Sequence, residues 1–193
     1  MKIVFATSNQ HKAIEISKLL PHDFEILTLN DLNLEEEIPE TAETLEGNAH
    51  LKAQYVVERF NLPCFADDTG LEIVALENRP GVRSARYAGE HRSDEDNMNR
   101  VLEELKNESN RNARFRTVIA LHLPNNKMEF EGIVEGKILK EKAGSQGFGY
   151  DPIFSPEQET RSFAQMSLDE KNTMSHRARA FAKMIEYLNL SSK

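Results

Sequence analysis

Asp67 and Asp68 stand side by side after Pro63-Cys64-Phe65-Ala66, and Thr69-Gly70 follows them. Two like charges at the end of a buried run are costly to ionise together. They become favourable when a divalent cation sits between them and a phosphate. One of the pair can also take a proton from water, because its neighbour's charge raises its pKa into a useful range. The same residues equally suit a plain turn, where Asp and Gly are common.

Three further groups could complete such a centre. Thr7-Ser8-Asn9-Gln10-His11-Lys12 lies between an apolar run and a helical pattern. A helix N-terminus points N–H groups outward, and its dipole favours anions. Hydroxyl and ammonium groups there would finish a phosphate cradle. The Walker spacing of glycines and lysine is absent, so the segment also suits an ordinary capped helix with a solvated lysine. In Gly144-Ser145-Gln146-Gly147-Phe148-Gly149-Tyr150-Asp151-Pro152, three glycines permit close backbone approach. Phe148 and Tyr150 are flat faces for a base, and Asp151 is an acceptor. The alternative is a flexible loop whose aromatics anchor it to the core. Lys171 with Ser175-His176-Arg177 offers donors that could read a base carbonyl, or simply a solvated helix face. The other histidines (His11, His22, His50, His91 and His122) lack metal-ligand spacing and read as surface or satisfied core residues. Cys64 reads as a small apolar residue in a strand.

The elements that must position these groups follow from periodicity. Residues 2–7 and 24–29 are β-rich, and between them Ile14, Ile16, Leu19 and Leu20 mark a helix that starts after Asn9 and stops near Pro21. The acidic stretch 30–43 reads as loop. Residues 44–60 predict a helix with Leu45, Ala49, Ala53, Val56, Val57 and Phe60 inside. Strands are expected at 63–67 and 71–76, with a loop at Pro80-Gly81 between them and a helix over 94–106 capped by Ser93 or Asp94. A hairpin joins 114–123 to 128–139 through Asn125-Asn126. Ser167 and Glu170 resemble a capping box, and a last helix near 176–188 turns Phe181, Met184, Ile185 and Leu188 inward. The mix predicts an α/β fold with a mixed sheet.

The 193 residues suit a single domain large enough to bury a sizeable core. No apolar run approaches the ~20 residues of a membrane span, and the N-terminus enters a strand with no cleavage pattern, so no membrane partner and a cytoplasmic location are expected. A single cysteine excludes an internal disulfide and any cysteine-based metal cluster. A net charge of −8 speaks against a nucleic-acid groove. It is compatible with a small polyanion, since a few lysines and a cation can reverse the field locally.

Taken in order, these motifs resemble the inosine triphosphate pyrophosphatase family, over nearly the whole chain. Phe5-Ala6-Thr7-Ser8-Asn9-Gln10-His11-Lys12 is similar to that family's Ala-Thr-Gly-Asn-x-x-Lys. Glu40-Thr41, Asn48-Ala49 and Lys52-Ala53 match its Glu-Thr-Gly…Glu-Asn-Ala-x-x-Lys-Ala segment. Ala66 to Leu71, Pro80-Gly81, Ser84-Ala85-Arg86-Tyr87, Phe148 to Phe154, Glu170-Lys171-Asn172 and Ser175-His176-Arg177 complete the set. Ser8 stands where the family usually has Gly, Ala42 replaces a second Gly, and Gly47 replaces a Glu.

The resemblance implies an elongated, two-lobed α/β fold around a long mixed sheet, with the site in a cleft and residues 1–193 as one domain. It implies a Mg²⁺-dependent hydrolase that cuts non-standard purine nucleoside triphosphates, those of inosine, deoxyinosine and xanthosine, to monophosphate and pyrophosphate. Thr7, Ser8, Asn9, Gln10, His11 and Lys12, with Lys52, would hold the triphosphate. Asp68 would be general base or metal-organising carboxylate, with Glu40 and Asp67 as further metal ligands. Thr69 would touch the substrate, and Phe148, Gly149, Tyr150 and Asp151 would form the nucleoside pocket. Lys171, His176 and Arg177 would read the 6-oxo edge. A homodimer is also implied. The rival readings are a Maf-type pyrophosphatase, which the Ser-His-Arg motif opposes, and a silent nucleotide sensor, which has no need of Asp67, Asp68 and Lys12.

Overall fold

A computed structural model of the protein describes residues 2–19, 24–34 and 36–191. The helix end expected at Pro21, and His22, lie outside the described residues. The fold is mixed α/β. Seven strands form one sheet in the order β2-β1-β3-β5-β6-β7, with β4 paired to β3. The chain forms two compact units. The first comprises Met1–Asp68, Thr117–Gly132 and Arg177–Lys193, and the second Thr69–Arg116 and Ile133–His176.

In the first unit, β1 (Lys2–Phe5) pairs in parallel with β2 (Glu25–Thr28) and with the start of β3 (Cys64–Ile73). Ile3, Val4 and Phe5 are buried, as a strand covered on both faces requires. Between β1 and β2 runs α1 (Gln10–Ser17), capped by Asn9, whose side chain accepts from the Lys12 N–H. Helix α2 (Leu45–Phe60) starts at the Thr44 cap and ends where Asn61 turns left-handed, φ 53°. Its buried stripe holds Leu45, Ala49, Ala53 and Val56 as expected, with Val57 and Phe60 half-buried. The same stripe also buries Asn48 and Lys52, polar residues that must find partners. Helix α5 (His176–Ser191) lays Phe181, Met184 and Leu188 into a core with Phe5 and Phe65, whose rings stack at 4.6 Å.

In the second unit, Phe115, Phe154 and Phe163 centre a separate core, with α3 (Asp94–Glu104, capped by Ser93) supplying Met98 and Val101. The short helix α4 (Leu168–Asn172) starts from the expected Ser167–Glu170 capping box.

Several boundaries differ from expectation. Asp67-Asp68-Thr69-Gly70 is not a turn between two strands but the middle of one strand, β3, and Val74–Leu76 is a single 3₁₀ turn after it. Gly70 explains the continuity. A β-carbon there would stand 2.7 Å from the Gly81 carbonyl oxygen. Lacking one, it lets β4 (Arg79–Gly81), expected as loop, pair with Leu71 to Ile73. Strands β5 (Asn112–Leu123) and β6 (Asn126–Ile138) meet at Pro124-Asn125, one residue before the expected turn. The three-residue β7 (Phe154–Pro156) is too short to show a period and pairs antiparallel with β6.

Candidate active site

The register of β1 on β3 ends at Phe5↔Phe65. Asp67 and Asp68 therefore continue past the carboxyl end of β1, where the Thr7–Lys12 segment leaves the sheet for α1. Carboxyl ends of parallel strands are where α/β sheets bind ligands. Thr7 Oγ1 accepts the Asn9 N–H at 3.1 Å, so the strand-to-helix turn is fixed by its own side chains. Lys12 is not a solvated lysine. Its Nζ donates to Asp67 Oδ1 at 3.1 Å, and the side chain is mostly buried.

Asp67 takes a second cation on its other oxygen. Arg177 Nε donates to Asp67 Oδ2 at 3.1 Å, and Arg177 Nη1 also bonds Glu15. Burial alone would raise the Asp67 carboxyl, but Lys12, Arg177 and Lys52 outweigh it and hold Asp67 far below the ordinary carboxylate range. The ammonium of Lys12 is shifted down: burial is the larger effect, Asp67 opposes it, and Lys52 and Arg177 add repulsion.

Asp68 has a different environment. Asn48 Nδ2 donates to its Oδ2 at 3.3 Å, and Lys52 Nζ lies 3.5 Å from its Oδ1. The same Nζ donates to Glu40 Oε1 at 2.6 Å. Burial pushes the Asp68 carboxyl up; Lys52 and Lys12 oppose this, and Glu40 and Asp67 add to it. Lys52 moves up, because Asp68, Glu40 and Asp67 together overcome burial. The neighbouring acids thus diverge, Asp67 locked ionised and Asp68 poised nearer to accepting a proton.

Of the three expected metal ligands, two meet at Lys52: Asp68 and Glu40. Asp67 is instead gripped by Lys12 and Arg177. Among the described residues, no three acidic, histidine or cysteine side chains close on one point as a complete metal cage. Two carboxylates on a shared cation fit a hard divalent ion of the kind that draws its other ligands from water and phosphate. Ser8, Gln10 and His11 lie exposed on the same segment as Lys12.

The residues expected on the nucleoside side form their own cluster in the second unit. Lys171 Nζ donates to Asp151 Oδ2 at 2.6 Å, with both side chains under 5% exposed. That ammonium lies 5.0 Å from the Phe148 ring centre. Asp151 also accepts the Phe148 N–H at 3.0 Å. Gly147, with φ 76°, leaves room for this, since a β-carbon there would collide with Asp151 Oδ2. Gly149 N–H donates to Asp94 at 2.7 Å, and the Tyr150 hydroxyl donates to the Ser84 carbonyl at 2.8 Å. Tyr150 is therefore buried and anchored, and half-buried Phe148 is the more accessible ring. The His176 ring stacks on Phe115 at 4.7 Å. Thr69 follows Asp68 directly in β3 and is half-buried.

Sequence reasoning left three residues outside the site. Asn48 interrupts the apolar stripe of α2 one turn before Lys52, a signal of paired polar duty. Glu15 is a buried acid beside Ile16 on α1. Ser84 lies in the Ser-Ala-Arg-Tyr motif, where its Oγ accepts the Leu71 N–H at 2.9 Å. His122 departs from the satisfied core reading, since its Nδ1 is buried without a hydrogen-bond partner among the described residues.

Comparison with known proteins bears on this arrangement. The model of the Ham1 family matches residues 3–187. The chain belongs to the Ham1 family. A protein of Flavobacterium psychrophilum named dITP/XTP pyrophosphatase is 53% identical, with 97% of this chain and 98% of that one aligned. A Bacillus subtilis protein of the same name is 43% identical over 96% of each chain. Among solved structures, the Staphylococcus aureus Ham1 protein superposes with a TM-score of 0.90 at 38% identity, covering 99% of this chain and 100% of that one. Membership therefore spans both the Asp67–Asp68 cluster and the Asp151–Lys171 cluster. No helix among the described residues is long and apolar enough to cross a membrane.

Proposed function

We propose that this chain is a nucleoside triphosphate pyrophosphatase that hydrolyses dITP, ITP and XTP to the monophosphate and pyrophosphate, keeping them out of DNA and RNA. The observation that carries the reading is the divergence of two adjacent acids, Asp67 fixed between Lys12 and Arg177, and Asp68 raised by burial beside Lys52 and Glu40. The shared name of relatives aligned nearly end to end supports the substrate class.

Lys12, Lys52 and the Thr7–Lys12 turn would hold the triphosphate. Asp68 would take the proton of a water that attacks the α-phosphorus. The new bond is from water oxygen to phosphorus, and the bond that breaks is the one to the pyrophosphate oxygen. The two lysines would offset the charge that develops on the leaving group. Phe148 would stack on the base, with Gly149, Tyr150 and Asp151 shaping its pocket, Thr69 touching the substrate, and Lys171 and His176 facing the 6-oxo edge, while Arg177, expected there too, stays on Asp67 and Glu15. Mg²⁺, held through Asp68 and Glu40, would neutralise phosphate charge when bound. Residues 1–193 would act as one catalytic domain, in a cytoplasmic homodimer.

Pyrophosphate release from dITP, XTP and dATP, measured with Mg²⁺ and with excess chelator, tests the reading. Release from dITP and XTP only, and only with metal, is expected. Equal release from dATP, or full activity in chelator, would defeat it. Light scattering of the purified chain checks the dimer.

A further inference from the structure

Asn48 is 1% exposed on the inner stripe of α2. Its Oδ1 accepts the Ala42 N–H at 2.9 Å, which fixes the orientation of the amide. The Nδ2 therefore faces the other way, toward Asp68 Oδ2 at 3.3 Å. One side chain thus spans the acidic loop that carries Glu40 and the carboxylate at the centre of the site. With Oδ2 engaged by the amide, it is Oδ1 of Asp68 that faces Lys52.

A second observation concerns the neighbouring residue. A β-carbon at Gly47 would stand 2.5 Å from the Ala42 β-carbon and 3.2 Å from Thr44 Oγ1. Such a contact forces the loop to move, and the loop's tie to Asn48 begins at the Ala42 nitrogen itself. The Ala42 methyl occupies the room that glycine at position 47 leaves open.

We propose that Asn48 is a positioning residue for the pyrophosphatase reaction, tying the Glu40 loop to the Asp68 carboxylate, and that the fit of Gly47 against the Ala42 methyl preserves this tie. The inference rests on the function proposed above. If Asn48 only braced the start of α2, its loss would lower stability and leave turnover alone. A tie that sets the angle of a reacting carboxylate acts on turnover, since side chains that orient such groups are worth roughly 10–100-fold.

The test compares wild type, Asn48→Asp, Gly47→Ala and the double variant Ala42→Gly/Gly47→Ala. Asn48→Asp keeps the acceptor for Ala42 and replaces the donor to Asp68. Readouts are kcat and KM for dITP, Tm, and Mn²⁺ binding by calorimetry. Asn48→Asp should lower kcat at least about tenfold with KM much less changed. Gly47→Ala should lower kcat by a similar factor, and the double variant should return to within about threefold of wild type. Wild-type kcat in Asn48→Asp and Gly47→Ala, with only Tm reduced, overturns the proposal. So does a double variant no better than Gly47→Ala. Should wild type itself leave dITP intact, the functional reading fails and the Mn²⁺ arm decides. Binding weakened in Gly47→Ala and recovered in the double variant upholds the tie, and equal binding in all four proteins overturns it.

Discussion

Arg177 donates its Nε–H to Asp67 Oδ2 at 3.1 Å, and each side chain is at most 2% exposed. The same guanidinium bonds Glu15 on α1, so one cation joins the start of α5 to α1 and β3. Burial would lower Arg177, but Glu15 and Asp67 raise it, so the charge is secure. Removing it leaves two carboxylates buried with a partner missing. Arg177→Ala should therefore lose about 3–5 kcal/mol of stability, the usual result of breaking a buried pair from one side. Urea unfolding measures this, and a loss below about 1 kcal/mol would show that water already compensates the acids.

Asp67 makes a related prediction for acid. Burial would raise its carboxyl, but Lys12, Arg177 and Lys52 hold it well below the ordinary carboxylate range. A depressed carboxyl contributes stability that is present above the unfolded value and is lost as pH falls toward the folded one. Wild type should thus lose stability steeply below about pH 4. Asp67→Asn should start less stable at neutral pH and decline more gently in acid. Thermal unfolding between neutral pH and strong acid reads both slopes, and parallel curves would remove Asp67 as the source.

Asp68 runs in the opposite direction. Its carboxyl is raised, first by burial and then by Glu40 and Asp67 against the two lysines. A raised carboxyl lends stability when protonated and costs stability once pH exceeds its folded pKa. Asp68→Asn should therefore hold or increase Tm at neutral pH while turnover falls about 10²-fold or more, as for a lost general base. Wild-type activity should show an acid limb set by a carboxyl above the ordinary aspartate value. A variant with lowered Tm and near-normal kcat would move the catalytic role elsewhere.

The candidate site was partly legible in the sequence because its chemistry is local: Asp67, Asp68 and Lys12 are singled out by type and by neighbouring strand and helix signals. The roles within the cluster are not local. Lys12, Arg177 and Asp67 lie far apart in the chain, and only the parallel seating of β1 on β3, with α5 packed on the same core, brings them together. Helices α2 and α5 were visible through their 3.6-residue periods. The unbroken β3 was not, since Asp-Asp-Thr-Gly carries turn composition, while its extension goes with pairing to β1 and β4 and with the close approach of Gly81 to Gly70, which composition does not show. Asn48 was visible as a motif residue, but its role depends on a loop backbone that no side-chain pattern encodes.

The choice of base supplies the last prediction. Inosine and xanthosine present a 6-oxo acceptor where adenine presents an amino donor, so a donor-lined pocket separates them. Two nitrogens of Arg177 already serve Asp67 and Glu15, which leaves Lys171 and His176 as the proposed readers of that edge. Lys171 approaches Phe148 while bonded to Asp151, and His176 stacks on Phe115 at 4.7 Å. His176→Phe keeps a ring for that stack and removes both ring nitrogens. Wild type should prefer dITP to dATP by about 10²-fold or more in kcat/KM, the cost of facing donor against donor in a desolvated pocket. In His176→Phe, kcat/KM for dITP should fall about tenfold or more while that for dATP stays level, because only the acceptor base loses a partner. A parallel fall for both bases would make His176 a packing residue. An unchanged ratio with full activity would assign discrimination to Lys171, whose replacement by Met in the same assay would then have to erase it.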